Sequence, residues 1–546
     1  MAKKDASKGK APAKAAPAEE VAQLPPMPVP HEKPVGSGTG FAGHAAAVLA
    51  LQATAAVGLA VWLEPRLTDP AAAGQTMTEL AATLMSDDGA VTKRISGVGA
   101  AALLAGVTAL LITAYQMGRG AGGGYSKPKR GSVGGSVVSQ LKKIVGNENV
   151  HTSGVEMSKH GRDMSFHDRH PPDVVVYCEE VEQVRDVVKV CYDNYIPCVP
   201  RGAGTGLEGG CIPYEGGVAL DLKRMKKMEL RADDMQAVLG PGCIKNDINK
   251  WLEPSGFLFG PDPASNPSVG GMASTRGSGL STMMYGTTAE NVLSMLVVTA
   301  EGKLIRTRQC TRKSSTGYEL NQLYIGSEGT LGVIVELVVK IYPIMPVRTG
   351  ALVRFPDVAA AARAVIKIVQ AGPKSICRCE LLNADGIRAT NVMYKTELQD
   401  VPTIFMEFRG QTLTACQADS THCIEIAMAY GAVGNMETED AAEMDQMWAA
   451  RRGCYLAAGK YREMKGDSVY LSDTCVPISK LAESIAETEK DFVSNDLPAV
   501  ICAHIADGNF HCCVPYQPKY ALHPFIHALW IFTGSFSMSL WLWRGV

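Results

Sequence analysis

Among its fifteen cysteines the chain has no paired CxxC spacing; Cys377 with Cys379 and Cys512 with Cys513 are the only close pairs. A zinc ribbon or a disulfide scaffold therefore has little support. The cysteines read instead as reduced, small apolar core residues of an intracellular protein. Charge of one sign is also missing: 53 Lys and Arg stand against 55 Asp and Glu, a net of −2. With no global basic field, nucleic acid is not expected as a partner. The first 40 residues contain no arginine and almost no large apolar side chain. Rich in Ala, Pro and Lys, they cannot build a core and read as disordered. The missing arginine leaves a mitochondrial transit peptide only weakly signalled.

The 546 residues leave room for two or three domains with a sizeable core. Two uncharged runs, 41–63 and 95–117, are each long enough to span a bilayer as a helix. Both are heavy in Ala and Gly, so a buried helical hairpin is the competing reading. The flanks favour a membrane. Lysines precede the first run, Arg119, Lys127, Lys129 and Arg130 follow the second, and Glu64, Asp69, Glu79, Asp87 and Asp88 lie between them. That pattern puts both ends of a transmembrane hairpin on one side. Residues 118–150 are assigned to a flexible linker.

From His151 the pattern is that of an α+β body. Val174 to Tyr177 reads as a strand, and Val181, Val184, Val187, Val188 and Cys191 recur at helical spacing. Next comes IPCVPRGAGTGLEGGCIPYEGGVALDL, residues 196–222. A glycine run after a strand lets the backbone approach phosphate without Cβ atoms in the way. The dinucleotide-binding fold would require a helix to begin here. Pro213 and the later glycines exclude one, and the chain runs directly into a second strand. A strand–loop–strand nest of N–H groups around a pyrophosphate is the functional reading; an ordinary glycine-rich surface loop competes with it. Met235 to Leu239 reads as a strand and Asn246 to Leu252 as a helix closed by Pro254 and Gly256. Pro261 to Ser274 reads as a rigid loop. A third glycine loop, 326–332, leads into a strand from Val333 to Ile341. Three such loops beside strands suit a long, extended cofactor.

The segments PRGAGTGLEGG (200–210), PDPASNPSVGGMAS (261–274), YGTTAENVL (285–293), KSSTGYELNQLYIGSEGTLGVI (313–334) and AHIADGNFH (503–511) resemble the FAD-linked oxidases of the vanillyl-alcohol oxidase type. Within that family the resemblance is closest to the cytochrome-linked D-lactate dehydrogenases, over roughly residues 150–520. It implies a two-subdomain FAD-binding domain at 151–346 and an α+β substrate-capping domain at 347–520. It also implies oxidation of D-lactate or a similar D-2-hydroxy acid, with cytochrome c as electron acceptor and the mitochondrial inner membrane as location. D-2-Hydroxyglutarate and glycolate are the alternative substrates. Carried over, Pro200, Arg201, Gly202, Ala203, Gly204, Thr205 and Gly206 hold the FAD pyrophosphate. Asp262, Pro263, Gly270, Gly271 and Ser274 line the flavin and its ribityl chain, and Gly286, Thr287, Asn291, Glu328, Gly329, Thr330 and Asn509 complete the pocket. Relatives that bind FAD covalently use a histidine in the first loop. Gly210 stands there in this chain, so non-covalent FAD is expected.

His504 and His511 flank an Asp-Gly turn signal that would bring their rings together. On spacing alone a structural histidine pair is the favoured reading. The resemblance implies instead that both ligate a divalent metal, zinc by expectation, which would polarise the substrate as a Lewis acid. It likewise implies that Arg451 clamps the substrate carboxylate, a task suited to a guanidinium fork; Arg452 reads as a surface residue. After the histidines, similar enzymes carry a Glu-His-Gly segment whose glutamate completes the metal site and whose histidine takes the hydroxyl proton. No Glu-His-Gly follows Tyr520 here. The apolar stretch 521–546 reads as a third membrane segment or, preferably, as intron or frame-shifted sequence in place of the native ending. The metal site is then incomplete, and a catalytically impaired FAD-binding product is the second reading of function.

Overall fold

The computed structural model describes residues 130–460, 468–495, 497 and 500–516. The 1–40 segment, both runs of the hairpin expectation and the apolar tail lie outside the described residues. Among the described residues no helix is long and apolar enough to cross a membrane.

Three sheets organise the body. The first is built from β1 (Val150–His151), β2 (Val174–Tyr177), β3 (Cys198–Arg201) and β4 (Val218–Asp221) in the order β1-β2-β4-β3. β2, β4 and β3 are parallel, and β2 and β4 are buried along their whole length. Their unbroken apolar runs follow from being covered on both faces. The helix Val181–Asp193 covers one face with Val184, Val187, Val188 and Cys191, and starts at a reciprocal Glu180–Gln183 capping box. The linker expectation for 118–150 is corrected at its end. Residues 135–145 form a helix whose Val137, Leu141 and Val145, four apart, are buried in this same core.

The second sheet is antiparallel: β5 (Met228–Arg231), β6 (Gln236–Leu239), β8 (Val292–Thr299), β9 (Leu304–Arg306) and β10 (Gly332–Lys340) in the order β5-β6-β10-β8-β9. β7 (Phe257–Leu258) pairs with β11 (Tyr342–Pro343) beside it. The helix Lys245–Leu252 forms as expected, stopped by Pro254 and a left-handed Gly256.

The third sheet has seven antiparallel strands: β12 (Val347–Arg354), β13 (Ile376–Leu382), β14 (Thr403–Gly410), β15 (Gly434–Thr438), β16 (Ser468–Cys475), β17 (Val500–His504) and β18 (Asn509–Tyr516). They run β15-β12-β14-β13-β17-β18-β16. Strand periodicity sorts their side chains. Cys379, Leu381, Ile404, Met406, Ile501, Ala503, Phe510 and Cys512 face the helices Val358–Ala371, Leu413–Ala429 and Leu481–Ser494. The alternate positions face Trp448, Met447 and Cys454 on the other side. That second face also receives, by the same alternation, Arg378 and Glu380 from β13, Glu407 from β14, His504 from β17 and His511 from β18.

A seam of buried charge ties this sheet to the glycine-rich half. Asp262 takes hydrogen bonds from Lys245, Arg378 and Arg452, and Arg378 also reaches Ser281 and Glu407. The three cations outweigh burial and hold the Asp262 carboxyl far below the usual carboxylate range.

Candidate active site

Because β3 and β4 are adjacent parallel strands, the loop between them leaves and re-enters the sheet at its edge. Among the described residues no acceptor takes the N–H groups of Gly202, Ala203, Gly204, Thr205 or Gly206. Five consecutive unpaired donors on a partly exposed loop form an anion cradle. Gly204 holds φ +69°, and a Cβ at Gly202 would lie 2.1 Å from Ser268 Oγ. The loop therefore packs directly on the second glycine segment. Pro261 to Ser274 is not loop throughout, as expected from its prolines and glycines: Val269–Ser274 is a short helix, N-capped by Ser268 and containing Gly270 and Gly271. The third loop closes on both. Gly326 N donates to Ala273 O at 3.0 Å and Glu328 N to Ser274 O at 2.9 Å. A Cβ at Gly329 would strike Pro200 Cγ at 2.6 Å, and one at Gly210 would meet Glu328 Oε2 at 2.9 Å. Three segments spread over more than a hundred residues of sequence thus form one surface.

A cleft of about 810 Å³ opens beside Arg201, Gly202 and Ala203, at the carboxyl ends of β2, β3 and β4. Lys159, Lys223, Arg224 and Lys226 line it, and with Arg201 they outnumber the acidic Glu156, Glu179 and Asp221. Ligands of α/β sheets bind at this end of the strands, and these cations suit a phosphate-bearing one. The run Lys223-Arg224-Met225-Lys226-Lys227, directly after β4, was the overlooked sequence signal. No histidine lies in the first loop, yet one approaches it: a Cβ at Gly209 would come within 2.7 Å of the His167 ring.

Other expected cofactor residues serve the frame. The Asn291 amide donates to Tyr285 O and Thr287 O, and its oxygen accepts from the Tyr342 hydroxyl. With every polar atom engaged, it shapes the Gly286 turn (φ +75°) rather than offering a free hydrogen bond. Thr287 caps the helix Thr288–Asn291, Thr330 Oγ1 donates to Ser327 O, and Pro263 O accepts from Lys245. The Asp262 carboxylate is spent in the charged seam.

On the third sheet the decisive residue is one that sequence reasoning missed. Glu380, 2% exposed, accepts from Arg451 Nη2 through one oxygen and meets His504 Nδ1 at 2.8 Å with the other. Burial pulls His504 down, but the Glu380 charge and hydrogen bond outweigh it and raise the imidazole above its ordinary pKa. The β17–β18 hairpin turns at Asp507-Gly508 and sets the His504 and His511 rings 5.4 Å apart at a near right angle, as the turn signal implied. His511 Nδ1 is buried without a hydrogen bond; Asp473 Oδ1 approaches to 3.4 Å at poor geometry. Asp473 also helps to raise the Glu208 carboxyl, after burial, so β16 faces the first glycine loop.

Two expectations change here. Arg451 is not an open fork: it is 3% exposed, bound to Glu380, and its Nε has no hydrogen-bond partner. Arg452 is exposed, as expected, while one of its nitrogens bonds Asp262. The Asn509 amide donates to Asp473 and to Thr474 O, which ties it to β16 rather than to a cofactor. As for a metal, His504 and His511 belong to no group of three ligand atoms within 4.8 Å among the described residues.

Asp507 supplies a test of this region. Burial first, and the Glu380 charge with it, push its carboxyl up to about 6 against the pull of His504. A raised acid costs stability once it must ionise in the fold, fully above the folded value and not at all below the unfolded one. Because Asp507 is exposed at the turn and its charge is screened by solvent, Asp507→Asn is expected to gain no more than about 1 kcal/mol at pH 8. Urea unfolding should show that gain shrinking as pH falls through about 6 and vanishing below about 4.

Two family models match the chain: "FAD binding domain" over residues 172–308 and "FAD linked oxidases, C-terminal domain" over 344–527. A Danio rerio protein named "Probable D-lactate dehydrogenase, mitochondrial" is 36% identical over 387 residues, 70% of this chain and 77% of its own. The chain belongs to the FAD-linked oxidases, among the D-lactate dehydrogenases. A mitochondrial D-lactate dehydrogenase (cytochrome) of Arabidopsis thaliana is 35% identical, covering 70% of this chain and 67% of its own. A glycolate oxidase subunit of Bacillus subtilis is 28% identical over 69% and 80%. Among solved structures, p-cresol methylhydroxylase shares the fold at a TM-score of 0.58 and 17% identity, over 70% of this chain and 82% of that one. In this FAD-linked oxidase the first model holds the first two glycine segments and most of the residues that line the basic cleft. The second holds Glu380, Arg451, His504 and His511. The unpaired N–H cradle, the side-chain-free contacts at Gly202 and Gly329 and the cationic cleft fit FAD.

Proposed function

We propose that this FAD-linked oxidase converts D-lactate, or a similar D-2-hydroxy acid, to the 2-oxo acid and passes the electrons to cytochrome c. The observation that carries the chemistry is the Arg451–Glu380–His504 chain. The cradle residues Pro200 to Gly206, with Gly270, Gly271, Ser274, Glu328, Gly329 and Thr330, hold FAD non-covalently; when bound, FAD supplies the hydride acceptor. Glu380 fixes Nδ1–H of His504, which leaves Nε2 with its lone pair free to take the substrate hydroxyl proton. Arg451 anchors Glu380, and its positive charge in the protein interior favours the substrate carboxylate nearby. Zinc sites take at least three protein ligands, and His504 with His511 supply two; the proton step at His504 is complete without a metal. The charge seam at Asp262 keeps the cap, residues 347–520, seated on the FAD domain, residues 151–346. A mitochondrial location fits the names of the relatives; attachment to the inner membrane through the uncharged runs 41–63 and 95–117 rests on the flanking charges.

Glycolate is the second substrate on this reading, favoured by the similarity to a glycolate oxidase subunit. Anaerobic addition of D-lactate to the FAD-loaded full chain is expected to bleach the flavin, with L-lactate inert. Equal bleaching by glycolate would move the assignment to the second substrate. Bound flavin that stays oxidised with all three acids would sink both.

A further inference from the structure

Beside the Arg451 anchor lies a constellation that the redox reading does not use. Cys454 opens the helix Cys454–Ala458, one residue beyond the end of the helix Ala441–Arg452. Cys502 lies on β17 and Cys513 on β18. Their register pairs Cys513 with Val500 and Cys502 with His511, which places both thiols on the same face, diagonally opposed. The three Sγ atoms lie within 4.8 Å of one another, and all three residues are buried. Among the described residues no other set of three His, Cys, Asp or Glu side chains is so gathered. None of the fifteen cysteines expected to be plain core residues is otherwise arranged in this way.

We propose that Cys454, Cys502 and Cys513 form a buried three-thiolate site for a thiophilic, closed-shell cation such as zinc or cadmium. Zinc–thiolate bonds of ~2.3 Å require sulfurs about 3.8–4.0 Å apart, so each thiol moves inward by well under 1 Å. Soft sulfur ligands select such ions over magnesium or calcium. Three thiolates around a dication carry one net negative charge. The nearest fixed countercharge is Arg451, on which Cys502 and Cys454 already act electrostatically and whose buried Nε lacks a hydrogen-bond partner. The site thus draws on the same guanidinium that anchors Glu380. Occupancy competes with Glu380 for Arg451 and loosens the hold on His504, a consequence that rests on the proposed function. Binding itself does not.

The test is titration of chelator-stripped, reduced full chain with cadmium, followed by the thiolate-to-cadmium charge-transfer band in the ultraviolet. One equivalent is expected to saturate the band, which Cys454→Ser and Cys513→Ser should each abolish or shift while flavin content and circular dichroism report an intact fold. His511→Ala should keep the band, which separates this site from the histidine pair. Absence of a band in folded wild-type protein overturns the proposal, as does a band unchanged in both cysteine variants. If cadmium binds and D-lactate bleaching is absent with or without it, the site stands and only its link to catalysis is lost.

Discussion

Glu380→Ala is expected to cost about 3–5 kcal/mol of folding stability, because it strands Arg451 as an unpaired charge in the interior. The measurement is urea unfolding of the FAD-loaded chain. Glu380→Gln keeps the shape and one hydrogen-bond acceptor, so its loss should be smaller, and it isolates the effect on His504. In the wild type the carboxylate raises the imidazole, so neutral His504 becomes available only as pH rises through that elevated value. With glutamine in place, burial and the Arg451 charge are no longer opposed by a carboxylate, and the pKa falls. The acid limb of the kcat/KM profile should then move to lower pH while the plateau drops, since the ring is less firmly oriented. A purely structural role would lower the plateau and leave the limb where it was.

Gly202→Ala is expected to empty the cradle. The added methyl would sit 2.1 Å from Ser268 Oγ, the group that caps the helix carrying Gly270 and Gly271. The first two loops must part, and the aligned N–H donors lose the spacing that a pyrophosphate needs. Flavin absorbance per protein should fall by about tenfold or more, equivalent to about 1.4 kcal/mol or more of binding. Two controls bound the interpretation. Gly135→Ala, where a Cβ meets nothing within 4 Å, should leave flavin content unchanged. Adding Ser268→Gly to Gly202→Ala removes the clash and should recover part of the flavin, which a general folding defect would not allow.

How far the sequence alone reaches differs from element to element. The strand–loop–strand course of the first loop was legible because Pro213 and the flanking glycines leave a helix no continuous run, and local chemistry decides that question. The helix Val269–Ser274 was hidden by its two glycines, although Ser268 stands in a good N-cap position; packing against Pro241 overrides the propensity of Gly270. That three loops meet was legible only through resemblance, since glycine spacing carries no tertiary information. Glu380 was not legible at all. Its segment, ICRCELL, reads as a buried strand with two charges, and the partners that satisfy the glutamate lie 71 and 124 residues away. That Arg452 rather than Arg451 faces solvent was assigned as the structure has it, but only through resemblance, since a helix of weak amphipathicity does not tell which of two adjacent arginines turns inward.

The seam at Asp262 also sets an order of events on the ribosome. Asp262 emerges after Lys245 has been made, but Arg378 follows 116 residues later and Arg452 190 residues later. At ~5–20 residues per second, the last clasp arrives about 10–40 s after the aspartate. During that interval the nascent glycine-rich half is unclasped on this side, with its backbone donors facing solvent.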